Sequence, residues 1–181
     1  MSLPTVRRII TGHDDHGKAI VKIDETCSHF RDGRPGAKVC NIWTNDTAPA
    51  DNSGADDKGK REGKFTMIEN GSVFRIIQFN PGVEQRVHRT DSIDYIIVMS
   101  GEIDMELEAG EEVHLKAGDV MVQRGTVHNW INRGTEACVL AVILIHAKDL
   151  RGIEREVVLR SGPHRHAIVD DEVDEIGRAS C

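Results

Sequence analysis

Three residues of this chain have types and spacing that suit joint chemistry: His88, Asp94 and His128. His88 sits in "QRVHRT", Asp94 follows six residues later ahead of the apolar run "YIIVM", and His128 sits in "GTVHNWIN". Two imidazoles and a carboxylate converging in an apolar cavity hold a divalent cation and leave its opposite side open for water, substrate or oxygen. Such a donor set admits iron, zinc, manganese, nickel or copper. Without a cation the same side chains suit acid–base work, because an imidazole titrates near neutral pH and its surroundings move it either way.

The elements that must position these residues read as strands. From residue 65 onward "KFTMIEN", "VFRIIQFN", "QRVHRT", "DYIIVMSG", "EIDMELEAG", "EEVHLKAG", "DVMVQRG", "HNWINRG" and "CVLAVILIHA" follow one another. Glycine turns separate them every 8–12 residues or so, the spacing of an antiparallel sandwich or small barrel. "EIDMELE" alternates apolar and acidic residues as a half-buried strand does, so its acids solvate one face. Alternation puts His88 and Thr90 on one face and Asp94 and Tyr95 on opposite faces; Trp130 shares the parity of His128. Trp130 is therefore the better pocket residue, with Gln123 and Thr90 as polar neighbours, whereas Arg124 and His114 are expected at the surface.

Upstream, "TVRRIIT", "KAIVKID" and "AKVCNIW" read as short strands, and residues 46–64 as an exposed, mobile loop. The chain divides into N-terminal strands and loop (1–64), a barrel (65–150) and an extension with tail (151–181). In that tail, "KDLRGIEREVVLR" reads as a strand or short helix, "HRH" at 164–166 as solvent-facing, and the last dozen residues as frayed and acidic.

With 181 residues and a net charge of −7, the composition fits one acidic globular domain. It lacks the clustered Lys and Arg that nucleic acid requires. The longest apolar run is about half a membrane span, and the N-terminus lacks the apolar core of a secretory signal, so a cytoplasmic protein is expected. The cysteines (Cys27, Cys40, Cys138, Cys181) show no metal-type or disulfide-framework spacing. Cys138, within "ACVLAVILIHA", reads as a small buried hydrophobe.

Gly82, His88, Thr90, Asp94 and Gly101 follow the spacing of the first cupin motif, and Gly118, Gly125, His128 and Asn132 that of the second. Residues 65–146 thus resemble a small single-domain cupin. "RRIITGH…GKAI", "HRTDSIDY" and "VQRGTVHNW" extend the likeness to cupin oxidoreductases of fungal and bacterial secondary-metabolite clusters. The resemblance implies an all-β, double-stranded β-helix (a jelly-roll barrel) with extra N-terminal strands, a metal held by His88, Asp94 and His128, and a homodimer. There are departures: Thr90 replaces the family's second histidine, Asp94 its glutamate and Gln123 the motif-two proline, and the second motif is one residue short before Gln123.

Three functions follow. The first is a metal-assisted oxidoreductase acting on a small aromatic or polyketide-derived molecule. The second is a metal-free dehydratase, isomerase or cyclase run by His88, His128 and Asp94. The third is a small-molecule-binding cupin without catalysis.

Overall fold

The computed structural model describes residues 3–63 and 65–148 and the backbone of 168–169. The expectations for residues 149–167 and for the acidic tail fall outside this set.

Strands carry nearly all the regular structure. In chain order they are β1 (Arg7–His13), β2 (Ala19–Thr26), β3 (Arg31–Asp32), β4 (Ala37–Asn45), β5 (Ser72–Phe79), β6 (His88–Arg89) and β7 (Ser92–Ser100). They continue with β8 (Glu102–Leu107), β9 (Glu112–Lys116), β10 (Val120–Arg124), β11 (His128–Ile131), β12 (Cys138–His146) and β13 (Ile168–Val169). β1 and β2 form a hairpin; one sheet runs β10-β7-β12-β5-β4-β3 and a second β13-β6-β11-β8-β9. Both sheets contribute to one apolar interior, with Val73, Ile96, Val98 and Leu140 from the first and Ile103, Met105, Leu115 and Trp130 from the second. This is the expected double-stranded β-helix.

The composition of β12 follows from its place in the sheet. Leu140, Val142 and Leu144 face the interior. Val139 and Ala141 face outward beside Ile76, Cys40 and Ile42 of the same sheet, and Val6 and Cys27 pack against that face. A strand buried on both faces has no polar side to display, which is why "CVLAVILIHA" reads as a continuous apolar run. Cys138 is fully buried in the interior cluster, as expected.

Between β7 and β8 the chain turns at Gly101, with φ +73. A Cβ there would lie 2.5 Å from the carbonyl oxygen of Ala137, so glycine is required by backbone angle and by space. "KFTMIEN" differs from expectation. Its described residues, 65–70, lead into a turn closed by Gly71 N–H on Ile68 O rather than a strand.

The N-terminal segment is stitched to the barrel in two ways. β4 pairs with β5 over its length and so belongs to the barrel sheet. The β1–β2 hairpin is held by Arg8, whose side chain is completely buried and donates to Asp57 (2.5 and 2.8 Å), Glu25 (2.7 Å) and the Ile42 carbonyl (3.3 Å). The far end of the 46–64 loop is therefore anchored, with a single 3-10 turn at Lys58–Lys60, Asp57 as its cap and Thr44 donating to Lys58 O. The low-complexity composition hid this anchor.

Replacing Arg8 by Ala strands two partly solvated carboxylates against the sheet. A loss of about 2–3 kcal/mol is expected, at the low end for a broken buried pair because Asp57 and Glu25 keep some water. Urea unfolding of Arg8→Ala checks this; a stability within about 0.5 kcal/mol of wild type would contradict it.

Candidate functional site

The site is built on the pairing of β6 with β11, where His88 stands directly opposite His128. Their rings are 4.4 Å apart, centroid to centroid, and tilted by 49°. Each imidazole is fixed by the same local device: its Nδ1 donates to the carbonyl two residues earlier. For His88 that carbonyl is Arg86 O, at 3.1 Å, and for His128 it is Thr126 O, at 2.9 Å. A carbonyl only accepts, so each Nδ1 carries the proton and each Nε2 keeps a lone pair. Asn129 ties the two strands further, its Oδ1 accepting from Arg86 N–H at 3.0 Å and its Nδ2 donating to Glu106.

Aromatic packing and a guanidinium complete this end of the barrel. Trp130 meets His128 edge-on, at 6.0 Å, and stacks on Phe79, at 6.2 Å. It is buried, as parity predicted. Arg34, from the turn before β4, lies over the Phe79 ring at 5.2 Å and donates to Trp130 O at 3.2 Å. Its Nε is buried with no hydrogen-bond partner.

The electrostatics follow from burial. His88 is pushed down to about 4, first by desolvation and then by the Arg86 and Arg34 charges, against the pull of its carbonyl bond. His128 also falls to about 4, through burial, the His88 ring and Arg34. Both are neutral at pH 7. Burial likewise lowers Arg34 to about 10, which leaves it a cation at that pH.

Asp94 occupies the other sheet. It is inward-facing on β7, buried, and opposite Gln123 on β10 and Leu144 on β12. Its Oδ1 accepts from Ser92 Oγ at 2.6 Å, and that hydroxyl lies 2.7 Å from Thr90 Oγ1. Desolvation raises its affinity for a proton, opposed by the Ser92 hydrogen bond and the Arg75 charge. Thr90 thus serves the carboxylate through Ser92. Gln123 is buried, with Nε2 donating weakly to Thr126 Oγ1 at 3.4 Å and Oε1 left without a partner. Arg124 faces outward, as expected, and Tyr95 is exposed on the face opposite Asp94 rather than packed in the core. Asn132 caps its own turn, donating to Phe79 O and Glu136 O and accepting from Gly134 N–H.

The structure therefore joins His88 to His128 but does not gather Asp94 with them at metal-ligand spacing. Among the described residues the His, Cys, Asp or Glu donors that converge in threes within 4.8 Å are Cys27, His29 and Cys40. The free Nε2 atoms suit a cation, but the Arg34 charge bears on both rings, the Arg86 charge on His88, and Asp94 is engaged elsewhere. A cage of His88, Asp94 and His128 does not fit this arrangement.

Two residues of the interior were missed from the sequence. Arg34 sits in a turn, where it reads as a surface charge. Arg75 gave a signal: in "VFRIIQF" it shares the inward parity of Val73, Ile77 and Phe79. It donates to Phe65 O, keeps an unpartnered buried Nε, and is lowered by burial to about 10.

Comparison with known proteins agrees with this architecture. Residues 75–145 match the Cupin_2 family, described as a cupin domain. A curated relative, the cupin-domain-containing oxidoreductase fogC of Aspergillus ruber, is 36% identical over 82% of this chain and 76% of its own length. The chain is a cupin. Phomopsin biosynthesis cluster protein D of Diaporthe leptostromiformis is 38% identical to this cupin over 75% of each chain. Among solved structures, the Cnp3 cupin domain of Schizosaccharomyces pombe covers 80% of this chain and 96% of its own, with a TM-score of 0.50. At 12% identity that likeness concerns the fold alone.

The histidine shifts carry a pH signature. A histidine ordinarily titrates near 6.5, and these two titrate near 4 in the folded protein. Between those values the unfolded chain binds more protons, so stability falls as pH drops through the window. Asp94, with its raised value, works in the opposite sense. The effect at full extent is on the order of 3 kcal/mol per histidine. Urea midpoints at pH 7 and pH 5 should show the loss in wild type and a flatter dependence in the His88→Gln/His128→Gln variant. Equal slopes would remove this reading.

Proposed function

We propose that this cupin is an enzyme of secondary metabolism that takes a small organic molecule into the barrel and moves protons on it with His88 and His128. The observation that carries the proposal is the pair of neutral imidazoles, each with Nδ1 spent on a backbone carbonyl and Nε2 free. A free Nε2 takes a proton from a carbon or hydroxyl next to a carbonyl. The C–H or O–H bond breaks, an N–H bond forms, and the electron pair moves to oxygen as an enolate or phenolate. Arg34, a cation beside both rings with an unpartnered Nε, supplies the countercharge. The new anion in turn raises the basicity of the imidazoles that face it. Gln123 Oε1 offers the pocket an acceptor, and Trp130 and Phe79 an apolar wall for an aromatic substrate. Asp94, its proton affinity raised, is the second proton-holding group on the facing sheet.

A metal-assisted oxidoreductase is the second reading. The free Nε2 atoms and the names of the Aspergillus ruber relative and of a Neurospora crassa protein 31% identical to this chain, both called cupin-domain-containing oxidoreductases, favour it. A homodimer fits either reading. The β1–β2 hairpin exposes Ile9, Ile20 and Val21, and the outer face of β7 and β10 exposes Tyr95, Met99, Val120 and Val122. Such apolar surface, part of it on the edge strand β10, invites a partner.

Solvent-deuterium uptake into a panel of small β-dicarbonyl and hydroxyaryl-carbonyl compounds, followed by NMR, separates the readings. Proton transfer predicts uptake that resists a chelator and falls roughly 10²–10⁴-fold in His128→Ala. Turnover abolished by the chelator and restored by iron or manganese establishes the second reading instead.

A further inference from the structure

The barrel cavity is not the part of this molecule best equipped to bind a metal. On the opposite, outer face of the six-stranded sheet, the Sγ atoms of Cys27 and Cys40 and one ring nitrogen of His29 lie within 4.8 Å of one another. Cys27 and His29 are two residues apart in the segment that follows β2. Cys40 reaches them from the middle of β4. Both cysteines are buried as free thiols, Cys40 completely, among Val6, Ile42, Ile76, Val139 and Ala141.

The histidine carries a second, independent observation. His29 Nε2 bonds to the Asn41 carbonyl at 2.8 Å, and since a carbonyl only accepts, Nε2 holds the proton. Nδ1 is then a lone pair, and it is buried without a hydrogen-bond partner. A buried acceptor left unmatched carries its desolvation cost without return. A ring with one nitrogen fastened to a backbone carbonyl and the other buried and unpartnered, in a residue grouped with two thiols, has the makings of a metal-ligating imidazole with its outer support in place. The nearest charged groups bearing on Cys40 are Arg8 and Glu25, and Arg8 is already paired with Glu25 and Asp57, so no unmatched cation opposes an incoming one.

We propose that Cys27, His29 and Cys40 form a structural site for a thiophilic cation, with zinc(II) as the ion. Two thiolates and one imidazole are soft-to-borderline donors of the zinc kind, distinct in class from the oxygen-rich sets that hold magnesium or calcium. Binding breaks two S–H bonds, forms two sulfur–zinc bonds and releases two protons to solvent, with no change of oxidation state. A nitrogen–zinc bond to Nδ1 uses the orphaned lone pair. The fourth tetrahedral position falls to water or to a donor beyond these three. Because Cys27 follows the β1–β2 hairpin and Cys40 belongs to the barrel sheet, the ion clamps the hairpin onto the sheet's outer face. The inference does not depend on the chemistry proposed for the cavity.

Metal analysis of the full chain, purified from zinc-supplemented culture, tests it directly. About one zinc per chain is expected, lost in Cys27→Ser/Cys40→Ser and retained in His88→Ala/His128→Ala. Cobalt(II) titration of the stripped wild type needs no variant, and it should give thiolate-to-cobalt charge-transfer absorption together with the visible bands of a tetrahedral ion. Stripping the ion should speed hydrogen exchange across residues 6–29 and leave β12 protected. The proposal is overturned by protein that takes up neither zinc nor cobalt, by metal that persists in the cysteine variant but leaves with His88 and His128, or by a Cys27–Cys40 disulfide in freshly purified chain. Copper(I) in place of zinc would retain the site and correct the ion.

Discussion

Everything in the cavity depends on the register of β6 against β11. β6 is two residues long, yet it sets His88 opposite His128 and brings the two rings to 4.4 Å. A slip by one residue would turn His88 out of the barrel. The register is held from several sides at once: β11 also pairs with β8 along Leu107 to Asp104, Asn129 grips Arg86 N–H, and Gly82 N–H donates to Asn132 O. A short strand can be placed this firmly because its partner β11 is buried throughout and bonded on its other side to β8.

The second constraint is charge. Among the described residues the barrel interior takes in Arg34 and Arg75 against one buried carboxylate, Asp94, whose own proton affinity is raised by burial. Two neutral histidines add nothing to offset the guanidiniums. Each guanidinium rests partly on aromatic faces, Arg34 on Phe79 and Arg75 on Phe65, and donates to a backbone carbonyl, which lowers the cost of holding it there. An interior with positive charge in excess and unpartnered N–H groups favours a ligand that is anionic or becomes so during reaction. That preference follows from burial and satisfies proton abstraction better than cation capture.

Much of the fold was legible because it is periodic. Alternation in "EIDMELE" and the doubly apolar "CVLAVILIHA" follow from which faces are covered, and glycine turns mark the corners. His88 and His128 were legible from motif spacing, and Trp130 from its parity with His128. Asp94 was placed correctly on an inward strand position but not in the right company, because the gap between its carboxylate and the imidazoles is set by how the two sheets close. Thr90, which reads locally as a vacated ligand position, turned out to work through Ser92 on that carboxylate. The grouping of Cys27, His29 and Cys40 was invisible for a related reason. Its donors come from a β2 exit and a central strand that meet only when the N-terminal segment folds back over the sheet, and no local spacing records that return.

The most direct measurement on the central claim is the imidazole nitrogen shifts of His88 and His128 followed by NMR from pH 7.5 to 3.5. Both rings should be neutral with the proton on Nδ1 at pH 7 and protonate only near pH 4, while His114, paired with Asp104, titrates above the ordinary histidine value. Protonation of either barrel histidine near pH 6.5, or a proton resident on Nε2 at neutral pH, would contradict the account.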